Sequence, residues 1–190
     1  NTTGAIDASS ITALSGTAHE INSVYTSSGT INGLGNENLI VTNSSIEASL
    51  LNFLDANTTG SIDASSITAL TGTAYEINSV YTSFGISGLG NEAITITDTV
   101  TVAQANTLAA QTTGLVTATI SEGDMATLAG LNEIGNAYTV TVTDVSVAAS
   151  VVNALDSKTT GAINVIAVTT ITGTAADINT IYSAGAARTI

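Results

Sequence analysis

The chain of 190 residues contains no cysteine, proline or tryptophan, and it has only two basic residues and one histidine, His19. The lack of cysteine excludes disulfides, thiolate zinc sites, iron–sulfur clusters and a cysteine nucleophile. Two basic residues cannot neutralise a phosphate backbone, so we expect no nucleic-acid partner. The sequence has neither a polybasic segment nor a long apolar run, and it therefore predicts no membrane insertion. A single histidine also leaves little scope for histidine-based metal or acid–base chemistry.

Acidic and small polar residues dominate what is present. Asp and Glu total 15, which gives a formal net charge of −13, while charged residues make up only 9% of the chain. An average globular domain has about 25% charged residues. Threonine is in excess, with 34 residues, and the hydrophobic fraction of 44% is sufficient for a core. The chain begins with Asn1 and shows no signal peptide there, and we expect it to be a segment of a longer protein.

An internal repeat organises the whole sequence. Residues 57–85 repeat residues 1–29 with four differences, at positions 5, 15, 19 and 28 of the first copy. A Thr-Thr-Gly triplet and a Gly-Leu-Gly-Asn-Glu block also recur; the triplets begin at Thr2, Thr58, Thr112 and Thr159, and the blocks at Gly33 and Gly88. The pattern predicts one repeat array over 1–190, with repeats 1–56, 57–110 and 111–157 and a partial repeat 158–190.

Each repeat contains two strand–helix units. Segments with a period of two predict strands at Ala5–Ala8, Asn38–Thr42, Ser61–Ala64, Ala93–Thr97, Leu115–Thr119, Tyr138–Thr143 and Ala162–Ala167, with shorter apolar stretches at Ser10–Leu14 and Ser66–Leu70. Helices are indicated by capping boxes at Thr17, Ser44, Thr73 and Thr101 and by single caps at Ser146 and Thr174, with the weakest helix near 125–131. Helix ends are expected before Gly29, Gly60, Gly85, Gly114, Gly161 and Gly185.

These elements predict an α/β fold. A unit of about 26 residues cannot bury its strand face and its helix stripe alone, whereas stacked units bury both. We therefore expect a right-handed solenoid of about seven strand–helix coils, with a parallel sheet on one side and helices on the other. A doubly wound sheet is the alternative. Its strands are covered on both faces and read as continuous apolar runs, which does not fit the alternation.

The alternation also assigns faces to the strands. The predicted core positions are Ile62, Ile94, Val116, Val140 and Ile163. The predicted outward columns are Asp7, Asp63, Thr95, Thr117, Thr141 and Asn164, and beside them Ser9, Ser65, Thr97, Thr119 and Thr143. Stacked threonines suit a pleated, solvated surface. They are also typical of ice-binding solenoids, so ice binding is one alternative function, although Ile40 and Ile166 interrupt the columns.

Candidate chemical sites are few. Asp98, Asp144 and Asn43 occupy matching strand-to-helix junctions and are candidate calcium ligands, because calcium prefers six to eight oxygens. The alternative is that they cap helices. We predict no catalytic or cofactor-binding residue: the acidic pairs Asp7/Asp63 and Glu20/Glu76 are repeat copies, and the counterpart of His19 is Tyr75. The Gly-Leu-Gly-Asn-Glu blocks lack a phosphate-binding pattern and are interpreted as turns.

Four sequence blocks resemble a known group of proteins. The blocks TTGxIxASxITxLTGTAxxIN(S/T)xY, GLGNEAITITDT, LNxLDxxTTG and ATLAGLNEIGNAYTVTVTD are similar to repeats of giant cell-surface proteins of marine cyanobacteria, of the type associated with swimming motility. The resemblance covers nearly the whole chain, although the third repeat is shorter than the fuller pattern. It implies an extracellular, secreted protein whose repeats form a surface fibre, spacer or adhesive layer, sometimes beside calcium-binding repeats, and it transfers no catalytic residue.

Together these features predict a non-catalytic structural or adhesive protein at the cell surface. We expect self-association end to end or laterally, and contact with a surface or polysaccharide. The alternatives are a calcium-stabilised module and an ice binder. An enzyme directed at polysaccharide is the most distant alternative, since it needs two convergent carboxylates.

Overall fold

The computed structural model describes residues 4–27 and 29–187. Within them the chain has an α/β fold in which seven helices alternate with short strands. The helices are α1 (Ala18–Thr26), α2 (Ala48–Asn57), α3 (Ala74–Thr82), α4 (Val102–Ala109), α5 (Met125–Leu128), α6 (Ala149–Asp156) and α7 (Ala175–Ala187). The strands are β1 (Ile6–Asp7), β2 (Ala13–Gly16), β3 (Ile31–Asn32), β4 (Asn38–Val41), β5 (Ser45–Glu47), β6 (Ile62–Asp63), β7 (Ala69–Gly72), β8 (Ile86–Ser87), β9 (Ala93–Val100), β10 (Val116–Ile120), β11 (Ala137–Thr141), β12 (Ser146–Ala148), β13 (Ile163–Asn164) and β14 (Thr170–Thr172).

The chain divides into two compact units, residues 1–92 and 93–190. In the first unit, β2, β4, β6 and β8 adjoin in that order, β1 pairs with β3, and β5 pairs with β7. In the second unit, β9, β10, β11 and β13 adjoin in that order, and β12 pairs with β14. The described strands do not close into a barrel.

All the paired strands run parallel, as predicted. Partner residues lie 20 to 25 positions apart in sequence, so each strand pairs with one from the next strand–helix unit. Leu39, for example, pairs with Ile62, and Ile62 pairs with Ile86. A helix lies between most successive strand pairs, because parallel strands need a long crossover connection. The α/β class with parallel sheets is therefore confirmed.

The core lies between strands and helices within each unit. The five strand positions predicted to face inward are all at most 2% exposed; they are Ile62, Ile94, Val116, Val140 and Ile163. Helices contribute fully buried residues such as Leu51, Leu54 and Ile77. The period-two pattern of the strands thus identified the core face correctly.

The capping-box prediction is confirmed at Thr17, Thr73 and Thr101, where the threonine hydroxyl accepts an N–H from the third helical residue. It is wrong at Ser44 and at the single cap Ser146. Residues 45–47 and 146–148 are the strands β5 and β12, and the helices that follow begin at Ala48 and Ala149 without a side-chain cap. Pairing with β7 and β14 outweighs the local capping signal at these two places.

Candidate functional site

The most distinctive polar feature is a pair of loops, residues 33–37 and 88–92, here called the carboxylate loops. In the first, Gly33 has φ +87° and Gly35 has φ +129°, and in the second, Gly88 and Gly90 have φ +90° and +131°. L residues rarely adopt these angles, so glycine is required. A Cβ on Gly33 would also lie 2.8 Å from the Ser9 nitrogen. The repeated glycines therefore give both loops the same tight conformation.

Each loop closes around its own glutamate. Glu37 is fully buried, and its Oε2 accepts the N–H of Gly35 at 2.8 Å and that of Asn36 at 3.1 Å. Its Oε1 accepts the hydroxyl of Tyr25, which lies on α1.

The second loop repeats this arrangement. Glu92 is also fully buried, and it accepts the N–H groups of Gly90 at 2.8 Å and Asn91 at 3.1 Å and the hydroxyl of Tyr81 on α3. The sequence of the blocks indicates turns only, and it does not by itself indicate the role of these glutamates. The signal was the tyrosine that precedes each block at nearly constant spacing.

The electrostatics of the first loop keep the charge on the carboxylate. Burial of Glu37 opposes ionisation, but the Tyr25 hydroxyl and the loop N–H groups hold the pKa of Glu37 below its usual value. Burial, together with the hydrogen bond to Glu37, raises the pKa of Tyr25. The proton therefore stays on tyrosine and the negative charge on glutamate. The N–H groups of Gly35 and Asn36 hold this internal anion, so they are not a free phosphate cradle.

The Thr-Thr-Gly triplet connects neighbouring strand–helix units. Thr58 is buried, and its hydroxyl donates to the Glu37 carbonyl at 2.6 Å and accepts the Gly60 N–H at 3.0 Å. Thr59 donates its N–H to the Gly35 carbonyl at 2.8 Å. A Cβ on Gly60 would lie 2.3 Å from the carbonyl oxygen of Glu37, so only glycine allows this close approach of the two backbones.

The same contacts occur in the second unit. The Thr159 hydroxyl donates to the Tyr138 carbonyl at 2.8 Å and accepts the Gly161 N–H at 3.0 Å, and a Cβ on Gly161 would lie 2.3 Å from the Tyr138 oxygen. Helices α2 and α6 end before these glycines, as predicted. The lack of a side chain on Gly60 and Gly161 also allows close packing on a neighbouring strand. Gly185 lies inside α7, so the predicted helix end there is wrong.

Two of the three candidate calcium ligands hold helix N-termini. Asn43 accepts the Ala18 N–H at 2.6 Å, at the start of α1. Asp144 accepts the Met125 N–H at 2.7 Å, at the start of α5. In each case the capped helix is the preceding one in the chain, which the sequence did not indicate. Asp98 is exposed in β9.

Glu122 makes the same kind of contact, since it accepts the N–H of Val102 at 3.0 Å at the start of α4. The sequence reasoning did not single out this residue. Across residues 4–27 and 29–187, His, Cys, Asp and Glu form no group of three or more that could hold a metal ion. The geometry therefore favours the capping interpretation for Asn43 and Asp144.

The predicted outward positions are all exposed; they are Asp7, Asp63, Thr95, Thr97, Thr117, Thr119, Thr141 and Thr143. Asp7 and Asp63 have a local function, because each accepts an N–H two residues on, from Ser9 and Ser65, at 3.0 Å. Hydrogen bonds from these serines lower the pKa of both aspartates. Asn164 makes the same turn with Ile166. These side chains stabilise turns that follow short strands.

The threonine columns differ from the predicted alignment. Thr95 lies opposite Thr117 as expected, but Thr119 lies opposite Thr99 and Thr139 instead of Thr97 and Thr143. The pairing with Thr99 is caused by an irregularity in β9, which has two more residues than β10 between the paired positions. The pairing of β10 with β11 is regular, so the predicted alignment of Thr119 with Thr143 was four residues out of register. The column that contains Thr95 and Thr117 is interrupted, because the partner of Thr117 in the next strand is Ala137. The second unit therefore presents one column of three threonines, Thr99, Thr119 and Thr139.

Two shallow clefts of about 330 and 390 Å³ lie beside α1 and α2 and share His19, Glu47 and Leu50 in their linings. Glu47 is the one carboxylate in either lining. Neither cleft therefore offers the two opposed carboxylates that glycoside hydrolysis uses.

Comparison with known protein families, with curated proteins and with solved structures gives no match to this chain. No helix in the described part of the chain combines the length and the apolar character needed to cross a membrane.

Proposed function

We propose that the chain is a structural repeat segment of an extracellular cell-surface protein, without catalytic activity. In this proposal the parallel strands and their helices continue as a right-handed solenoid of about seven coils, and the coils form a stiff rod or spacer. Repeats contact repeats end to end or laterally, and the outer face contacts a surface or polysaccharide.

The observation that carries the proposal is that the same hydrogen bonds recur between neighbouring strand–helix units. Thr58 and Thr159 make equivalent buried hydrogen bonds to the preceding unit, although they lie 101 positions apart in sequence. Asn52 and Asn153, in α2 and α6, likewise donate to carbonyls of the following helix at 2.9 and 3.0 Å. Such recurring contacts fit a protein in which each strand–helix unit is stabilised by its neighbours in sequence.

The distribution of acidic groups supports a scaffold more than an active site. Glu37 and Glu92 are buried and hydrogen-bonded within their loops, and Asp144 caps a helix. A scaffold needs such satisfied groups for a unique packing. Catalysis would instead need acidic side chains that converge on a cleft.

The length of the molecule provides the test. Four further copies of residues 1–56 placed before residue 1 would add eight coils. At the usual strand separation of about 4.8 Å, these coils lengthen a solenoid by roughly 38 Å. A compact globular protein that grew from 190 to 414 residues would gain only about 14 Å in diameter.

Small-angle X-ray scattering of the two proteins measures this increase in maximum dimension. A matched control carries four copies in which the buried Ile46 and Leu51 are replaced by aspartate, which prevents the added coils from packing. A gain near 38 Å with the intact copies, and a much larger gain with the control copies because an unfolded chain is more expanded, supports the rod. A gain close to that of a compact globule contradicts it.

A further inference from the structure

The repeat supplies two nearly identical segments in one compact unit, and they differ in what covers them. Residues 1–29 are here called module A1, residues 30–56 module B and residues 57–85 module A2. Ile6 of A1 is 46% exposed, whereas its counterpart Ile62 in A2 is 0% exposed. Ile11 is 37% exposed, whereas its counterpart Ile67 is 1% exposed. The sequences are the same at these positions, so the difference reflects the neighbours.

Module B covers A2 on its N-terminal side. Leu39 pairs with Ile62, and β5 pairs with β7 over residues 45–47 and 69–71. Thr68 and Ala69 donate their N–H groups to the Ser44 carbonyl at 2.8 and 3.0 Å. Among the described residues of A1, the equivalent strand β2 is at the end of its sheet and pairs only with β4, on its C-terminal side.

We propose that the exposed N-terminal side of module A1 is a docking surface for a further module of the B type, supplied by another repeat of the same protein. The surface consists of Ile6, Ile11 and the free edge of β2. The partner provides the equivalents of β4 and β5, together with the carbonyls of Glu37 and Ser44. This inference rests on the proposed repeat-array function, and it specifies which module contacts which.

The continuity with the B–A2 interface identifies this occupant. Module A1 retains Gly4, the counterpart of Gly60, and no described residue lies within 4 Å of a Cβ added to Gly4. At Gly60 the same Cβ would meet the backbone of Glu37 at 2.3 Å, because module B is in place there. A glycine that A2 needs for close packing is thus also present in A1, where no described residue takes the place that Glu37 has beside Gly60.

A second copy of the chain does not supply the required module at its C-terminal end. Residues 159–187 begin with the Thr-Thr-Gly triplet and have the A-type pattern, with α7 started by Thr174 as α3 is by Thr73. Module B of a second copy is already paired with its own A2. The alternation of A and B modules therefore favours a B module from another repeat over a stack of copies.

The test joins residues 30–56 directly before residue 1 of the full chain. The new junction, Ala56 followed by Asn1, reproduces the natural Ala56–Asn57 junction. We expect amide hydrogen exchange of Thr12 and Ala13 to slow by about 100-fold, because both groups gain the partner that Thr68 and Ala69 have. The control is the same fusion with Leu39→Asp and Ile46→Asp in the added segment only, which should leave exchange unchanged.

A glycine substitution gives an independent readout. Gly4→Ala should leave Tm unchanged in the 190-residue chain and should lower it by about 5 °C in the fusion, as overpacking against a backbone carbonyl does. The proposal is overturned if intact and control segments protect β2 equally, or if Gly4→Ala is harmless in both proteins. Concentration-dependent protection of β2 in the 190-residue chain would instead assign the surface to a second copy. If the fusion docks while added repeats fail to lengthen the molecule, only the proposed function fails.

Discussion

The buried carboxylate of Glu37 offers the sharpest test of how the loops organise the first unit. Replacing Glu37 by leucine leaves three donors without an acceptor: the N–H groups of Gly35 and Asn36 and the hydroxyl of Tyr25. An unsatisfied buried donor costs about 1–3 kcal/mol. Tyr25 and Gly35 are only half-buried and Asn36 is exposed, so water recovers part of this cost. We expect Glu37→Leu to lower the free energy of unfolding by about 4 kcal/mol.

Replacing Glu37 by glutamine separates the effect of the negative charge from the effect of the side-chain shape. Glu37→Gln keeps an oxygen for the loop N–H groups but loses the charge, which strengthens hydrogen bonds. The expected loss is about 1–2 kcal/mol. The control Glu47→Gln removes an exposed carboxylate from the same unit and should change stability by less than about 0.5 kcal/mol. Urea denaturation followed by far-ultraviolet circular dichroism at pH 7 measures all three variants.

The pH dependence provides a second readout of the same carboxylate. The folded state lowers the pKa of Glu37 from its ordinary value of 4.5, so it favours the ionised form. The resulting stabilisation is complete above the unfolded pKa and is lost as the pH falls through the folded pKa. The difference between wild type and Glu37→Gln should therefore be constant near pH 7 and should shrink below about pH 4.5.

A double-mutant cycle assigns the effect to the hydrogen bond between Glu37 and Tyr25. Tyr25→Phe should cost less in the background of Glu37→Leu than in the wild type, with a coupling of about 1 kcal/mol. A loss below 1 kcal/mol for Glu37→Leu, or a difference from glutamine that is independent of pH, would refute the role given to this carboxylate.

Three further predictions concern contacts between neighbouring strand–helix units. Gly60→Ala should lower Tm by 5 °C or more because its Cβ would meet the backbone, while the matched change Gly4→Ala should be neutral in thermal denaturation. Thr159→Val should lower the free energy of unfolding in urea by about 2–3 kcal/mol, whereas Thr159→Ser retains the hydroxyl and should cost under 1 kcal/mol. Lys158→Met removes the ammonium bonds to the carbonyls of Ala129 and Leu131 at the end of α5, and exchange of the amides in 125–131 should accelerate about tenfold. Unchanged values for Gly60→Ala, Thr159→Val or Lys158→Met would each contradict the contact concerned.

The local features of the fold could be predicted from the sequence because they depend on near neighbours. The alternation of apolar residues placed Ile62 and Val140 in the core, and the capping box placed the start of α3 at Thr73. In both cases residues two to four positions apart carry the signal, and the structure at that scale follows from it.

Contacts between strand–helix units could not be predicted in the same way. The strands β3 and β8 have two residues each, which is too short for any periodic signal. The pairing of Thr119 with Thr99 depends on the irregularity in β9, which no pattern in either strand indicates. Ser44 shows the converse, since a good local capping signal is overruled by strand pairing of the residues that follow it.

The unusual composition of the chain acquires a specific explanation from these contacts. The sequence predicts threonine on outward strand faces, yet Thr58 and Thr159 are buried. Each hydroxyl donates to the preceding strand–helix unit and accepts the N–H of the glycine two residues on. Valine has the same shape without the hydroxyl, and serine lacks the methyl group that fills a buried position, so threonine serves both requirements.

The same reasoning applies to the negative charge of the chain, because some of the acidic side chains have structural partners and do not only face solvent. Glu37, Glu92 and Asp144 each accept backbone N–H groups that loops or helix ends leave without main-chain partners. A basic residue cannot replace them, because lysine and arginine carry no acceptor. The excess of acidic over basic residues is therefore in part a structural requirement of the repeat. Because the loops and helix ends recur along the chain, the net charge grows with the number of repeats.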